Sequence, residues 1–386
     1  MRHHNTLLHA ILKNLPWAAF DRSVDTHAAD RGVRTLPTKN LFIALLHGQL
    51  SGASSLREIV ATMESHSARL YHLGLVAPRR STLADANESR PAGVFVDVFN
   101  ALLAQAHPGL RRSSKEAVRL IDASSMTLSA LSSNWASYEA RATSVKMHIV
   151  FDPDAATPVH FAVTPGRIND IVAAKTMPIE DGATYVFDLG YYDFAWWAKL
   201  IDRDCRIVTR LKKNTLTRLV EERTIPPDVA ARGRIIADRI VCLPVRLKGT
   251  RRHPLECKMR EIHVVIDTGK TLRIISNDLK TGPEEIADLY KTRWQIELFF
   301  RWVKQTLKVK KFLGLSENAI RIQIAVALIA YLLLRIAHNQ QRAAIGLLNF
   351  ARIVRANLMH FKAIHELTQT EPIPKQSNST QMRFAI

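Results

Sequence analysis

The chain has 386 residues, 47% hydrophobic and 23% charged, which is enough for two or three packed domains and excludes broad disorder. It carries 54 Lys plus Arg against 35 Asp plus Glu, a net charge of +19, so the expected partner is a polyanion, nucleic acid before an anionic membrane surface. Three cysteines without a Cys-x-x-Cys pair (Cys205, Cys242, Cys257) argue against a zinc module and fit a reducing cytoplasm, and the polar opening residues 1–6 are not expected to be a signal peptide.

Residues 1–75 read as a helical N-terminal domain, rich in His and Arg, that docks on DNA. Residues 41–47 and 54–63 are helical, with Ser54 as the expected cap and Glu58 near the first turn. Residues 76–115 read as a basic, Ser-rich connector (78–90) leading into a helix near 93–106. From 116 the pattern turns to strands: 117–122, 145–151 and 158–163, then a helix over 169–178 capped by Asn169 or Asp170. A strand at 184–188, a helix at 194–201 and a strand at 206–211 complete the first part of an α/β layered core, residues 116–211.

Residues 212–276 read as a β-rich insertion, with short runs at 234–238 and 240–246 and returning strands at 261–266 and 272–276. Residues 277–345 are the second part of the core, and 346–386 a C-terminal helix with a polar tail from about Leu367. The apolar run 322–337 is interrupted by Gln323 and Arg335 and is shorter than the roughly 20 residues a membrane span needs, so it is expected to be a buried helix.

The most informative stretch is 288–304. Tyr290, Arg293, Glu297 and Lys304 are spaced three, four and seven apart. At about 100° per residue, one α-helix gathers them within an arc of roughly 60°. An apolar stripe of Leu289, Ile296, Phe300, Val303 and Leu307 runs beside them. The spacing alone fits either an amphipathic helix with Glu297 paired to a cation at i−4 or a carboxylate held among cations for a purpose. Two aspartates bear on that choice, because Asp122 and Asp188 each end a strand, where functional residues of α/β folds collect. Each alone could be a turn residue or a helix cap. Three carboxylates converging on one point repel one another unless cations bind, and carboxylate oxygens suit Mg²⁺ or Mn²⁺. Two such ions can serve both the attacking and the leaving oxygen of a phosphodiester. Sugar hydrolysis fits the positive charge poorly, and no Gly-rich phosphate loop points to ATP.

The chain resembles DDE transposases of the insertion-sequence-four type. The resemblance rests on Tyr290, Arg293, Glu297 and Lys304, and on the stretches 81–87, 188–194 and 208–212; it spans roughly residues 30–345. It implies an RNase H-like catalytic domain interrupted by a β-rich insertion and preceded by a helical N-terminal domain. It also implies that Asp122, Asp188 and Glu297 are catalytic and hold two Mg²⁺ (or Mn²⁺) ions, with Asp122 bridging them. Tyr290, Arg293 and Lys304 would contact phosphates near the cleaved DNA end. By position alone, Lys212 and Lys213 at the end of the fifth strand are either further DNA contacts or a solvated pair. The implied partners are double-stranded DNA, as terminal inverted repeats and target, and a second copy in a synaptic homodimer. The implied setting is the bacterial cytoplasm, at the nucleoid, with no membrane. The alternative function is a transposase-derived, sequence-specific DNA-binding protein without catalysis. One departure is evident: relatives stack a flipped base on a tryptophan in the insertion, whereas no Trp lies between Trp197 and Trp294 here. Trp196 and Trp197 are expected in the core and His148 in the core or at an edge; Trp294 and Trp302 pack under the insertion or touch DNA.

Overall fold

The computed structural model describes residues 5–111, 116–128, 137–139, 142–244, 254–307, 312–341 and 345–368, so the polar tail and part of the insertion lie outside the described residues. The chain begins with helices α1 (Leu7–Leu12), α2 (Trp17–Thr26), α3 (Thr38–Ser51), α4 (Leu56–Ser65), α5 (Ser67–Leu70), α6 (Arg80–Ser89) and α7 (Ala92–Leu110). α3 is buried on every side from Leu41 to Leu50. The cap of α4 is Ser55 rather than Ser54: the Ser55 hydroxyl accepts from Glu58 N at 3.1 Å, while the Glu58 carboxylate accepts from Ser54 N at 2.7 Å. That reciprocal box sits one residue later than the sequence reading. The stretch read as a connector contains α6. Its polar surface hides Leu83, Ala86 and Asn87 on one face, and Pro91 closes its C-terminal end.

Strands β1 (Val118–Thr127), β2 (Ser137–Glu139), β3 (Ala142–Asp152) and β4 (Thr157–Pro165) pair antiparallel, β3 lying between β1 and β4. The short α8 (Asp170–Ala174) leads to β5 (Thr184–Phe187), and α9 (Phe194–Ile201) carries the chain over to β6 (Arg206–Arg210). β5 runs parallel to β1, and β6 parallel to β5. The order β4-β3-β1-β5-β6, three antiparallel strands followed by two parallel ones, is RNase H-like. α8 starts where expected but stops at Ala174; Asn169 makes no side-chain capping bond, and Asp170 pairs with Lys146 Nζ at 2.9 Å.

The inserted segment adds β7 (Arg218–Glu222), α10 (Pro227–Ala231), β8 (Ile235–Cys242), β9 (Lys258–Val265) and β10 (Thr271–Ser276). β10 pairs antiparallel with β6, so the inserted strands continue the core sheet, which has ten strands among the described residues. The runs 234–238 and 240–246 merge into the single strand β8. Side chains alternate across this sheet. Leu120, Val186, Val208 and Ile274 enter one core, and Ile121, Phe187, Ile207 and Ile275 enter the other.

After the insertion come α11 (Pro283–Thr292), α12 (Trp294–Thr306), α13 (Glu317–Gln340) and α14 (Leu347–Asn357). The helix expected through 288–304 is therefore two helices that meet at Arg293. The bonds Arg293 N→Tyr290 O and Ile296 N→Arg293 O, both 3.2 Å, span three residues and tighten that turn. α13 is long and apolar enough to cross a membrane by length and composition alone, yet most of it is buried inside the fold. Tyr331 OH and Arg335 Nη2 tie it to Ala156 O (2.6 Å) and Ala155 O (2.8 Å) in the β3–β4 turn.

Candidate active site

Parallel pairing between β1 and β5 stops at Ile121 opposite Phe187. Asp122 and Asp188 are the next residue on each strand, and they share the sheet face of Leu120 and Val186. Asp122 does not end its strand, however. β1 continues to Thr127 because β3 still pairs with it after β5 has turned away. Asp188 caps a short 3-10 turn, its Oδ1 accepting from Gly190 N at 2.8 Å. Asp122 Oδ1 accepts from Ala123 N at 2.8 Å, which leaves Oδ2 to face another partner.

Glu297 lies in the first turn of α12, whose apolar side (Ile296, Phe299, Phe300, Val303) is buried. Arg293, at the junction of α11 and α12, stands between the carboxylates. Its Nη1 lies 3.4 Å from Asp122 Oδ2, and its Nη2 donates to Glu297 Oε1. The i−4 pair exists, and the same cation also reaches a strand aspartate 171 residues away.

Burial pushes the Asp122 carboxyl up to about 7; Asp188 and Glu297 push the same way, against the Ala123 N–H and Arg293. The Tyr191 hydroxyl is buried, has no hydrogen-bond partner, and is held far above its usual range by burial and by the charges of Asp122, Asp170 and Asp188. Asp170, with Lys146 on it, and Tyr191 thus adjoin the site, and neither stood out in the sequence. Among the described residues no three His, Cys, Asp or Glu side chains are grouped closely enough to hold one ion as they stand. The donor set nonetheless fits a hard divalent cation: oxygen ligands, surplus negative charge in a low-dielectric setting, and an unpartnered buried hydroxyl beside them.

The expected DNA contacts occupy different settings. Tyr290 is buried, with the Arg210 guanidinium 5.9 Å from its ring centre. Lys304 Nζ donates to Ser125 O at 2.8 Å, fastening α12 to β1. Lys212 is exposed, with Nζ 4.4 Å from the Tyr192 ring centre. A cavity of about 610 Å³ between β9–β10 and α11 is lined by Arg210, Arg232, Arg234, Lys291, Arg293 and Trp294. A second, of about 340 Å³, is lined by Lys212, Lys213, His263 and Arg273, and Arg210 walls both. Arg210 was missed because one cation at a strand end carries no signal until β10 pairs beside it. Its Nε is buried without a partner. Trp294 is 52% exposed, Trp302 packs edge-on against Tyr331, and Trp196 and Trp197 are core. His148 is buried, its Nε2 2.8 Å from the Thr164 hydroxyl.

The family described as Transposase DDE domain matches residues 113–333, and a domain of unknown function (DUF4372) matches residues 3–76. A Sinorhizobium fredii protein carrying a transposase name (y4zB) is 37% identical over 298 residues, 77% of this chain and 82% of that protein. A Geobacillus stearothermophilus protein named as a transposase for insertion sequence element IS5377 is 26% identical over 73% of this chain and 74% of that protein. A cryo-EM structure of the piggyBac transposase synaptic complex with hairpin DNA overlays with a TM-score of 0.46 at 11% identity, covering 99% of this chain and 89% of that one.

Proposed function

The chain belongs to the DDE transposase family, and on that premise we propose that Asp122, Asp188 and Glu297 are the carboxylates with which it cuts and joins DNA at the ends of an insertion sequence. The observation that carries this reading is the register. Two aspartates follow the last facing pair of parallel strands, and one guanidinium links the first of them to the helix glutamate.

Asp122, Asp188 and Glu297 would hold the cation, Mg²⁺ or Mn²⁺ and two ions in number, with Asp122 shared between them. Bound there, the ions supply activation of an attacking oxygen and stabilisation of the departing one. The chain's own contribution is positional. Ala123 N and Gly190 N each hold one oxygen of an aspartate, which fixes how both carboxylates are turned. The Asp122 carboxyl, which burial pushes up to about 7, would have to be ionised to hold a cation. Arg293 and Tyr290 receive phosphate oxygens from the DNA end, with Lys212 and Lys304 beside them. Hydrolysis frees a 3′-OH, and that hydroxyl attacks target DNA in line at the same carboxylates. Residues 1–75 read the terminal repeats, two copies act together in synapsis, and the setting is the bacterial nucleoid.

The test incubates the chain with terminal-repeat DNA and Mg²⁺ or Mn²⁺, with Asp122→Ala, Asp188→Ala and Glu297→Ala alongside. Cleavage by the wild type alone supports the reading. Binding without cleavage by all four supports the non-catalytic alternative.

A further inference from the structure

We propose that Arg293 is a built-in counter-cation that holds Asp122 and Glu297 together in the cation-free protein and must leave before a divalent ion can use them both. This rests on the carboxylate assignment above. The guanidinium is a fixed fork with donors on two nitrogens. Here one nitrogen faces Asp122 and the other Glu297, and the side chain is only 15% exposed. It therefore occupies the gap between two of the oxygen sets that an ion would bridge. That accounts for the lack of any carboxylate group already close enough to bind metal among the described residues.

The same side chain has somewhere to go. Arg293 also lines the cavity of about 610 Å³, beside Arg210 and Lys291, where a strand phosphate would be received. One guanidinium cannot fork two carboxylates and grip a phosphate at once. An incoming DNA strand therefore draws Arg293 off Asp122 and Glu297, and the carboxylates open to cations as the substrate arrives. Arg293 sits at the turn between α11 and α12, whose backbone bonds to Tyr290 O and from Ile296 N do not involve its side chain.

The test is a Mn²⁺ titration of the full chain without DNA, read by electron paramagnetic resonance or calorimetry. Arg293→Gln is expected to bind Mn²⁺ about tenfold tighter than the wild type, the scale of one charge-assisted hydrogen bond removed. Arg293→Lys is also expected to bind more tightly, since one ammonium keeps the charge but cannot span both carboxylates. If Arg293→Gln binds equally or more weakly, the ion pair is only structural and the proposal fails. If Arg293→Gln tightens while Arg293→Lys stays at the wild-type value, the charge alone holds the ions off and the bridging of Asp122 and Glu297 by one fork is overturned. Asp122→Asn separates the two readings: undiminished Mn²⁺ binding in that variant overturns the carboxylate assignment itself, as does the absence of binding in every protein.

Discussion

Asp122 and Asp188 each stand one residue beyond a pair of facing residues, Ile121 and Phe187, on parallel strands. Their side chains therefore leave the sheet on the same side, toward the helix that carries Glu297. Two positions separated by 66 residues are brought together by a backbone register, so whatever holds that register and its turns holds the site.

Gly190 tests how closely the turn is built. A Cβ there would come 3.0 Å from Asp188 Oδ1 and 3.3 Å from Asp170 Oδ2. Gly190→Ala should displace the Asp188 carboxylate and lower cleavage about 10-fold or more, the size expected for a misplaced reacting group. The melting temperature should stay within a few degrees. A variant with wild-type cleavage would show that the Asp188 orientation is unimportant.

Some of this was legible beforehand. Asp188 was, because the β-rich run 184–187 breaks at Asp-Leu-Gly, a local change of pattern. The extent of β1 was not, because residues 123–127 are strand only through β3, and that pairing is long-range. α6 was hidden because Leu83 and Ala86 are its main apolar positions, too few to set a period, and neighbouring helices hold them. Arg293 announced its pairing to Glu297 through spacing alone. Its reach to Asp122 needed the sheet and helix to be assembled first.

Asp122 makes stability depend on pH. Its carboxyl is raised from 3.8 to about 7, chiefly by burial. Between those values the folded chain holds a proton that the unfolded chain has lost, so stability falls as pH rises through this window. Asp122→Asn has no such proton and should be more stable than the wild type at pH 8 by about 4 kcal/mol. The gap should close toward pH 4. Urea unfolding at both pH values checks it, and a gap independent of pH would contradict it. Excess Mg²⁺ should raise the wild-type melting temperature at pH 8 more than that of Asp122→Asn.

His148 acts in the opposite direction. Burial, with Lys146 nearby, lowers it from 6.5 to about 4, against the pull of Asp170. The unfolded chain takes up that proton first, so stability present above 6.5 is lost as pH falls toward 4. His47, also lowered to about 4, shares the window. His148→Gln should flatten the fall in melting temperature between pH 6.5 and 4.5 without removing it. An unchanged slope would show that His148 protonates freely in the folded chain.

The inserted strands contain a buried pair. Arg260 Nε and Nη2 donate to Asp238 Oδ1 and Oδ2 at 2.8 and 2.7 Å, with both side chains 2% exposed. Asp238→Ala strands the Arg260 charge and should cost about 3–5 kcal/mol, whereas Asp238→Leu with Arg260→Met should come close to wild type. Urea midpoints distinguish the two; equal losses would mean that the pair's geometry, not the stranded charge, matters.

On the proposed function, Asp122, Asp188 and Glu297 act together as one cation-dependent site. The most direct measurement is strand cleavage of terminal-repeat DNA in Mg²⁺ by the wild type and by each alanine variant, with DNA binding measured in parallel. Each variant should keep binding and lose cleavage by at least about 100-fold, the loss expected when one member of a metal-ion site is removed. Wild-type cleavage surviving in any one of the three, or persisting for the wild type in excess chelator, would contradict it.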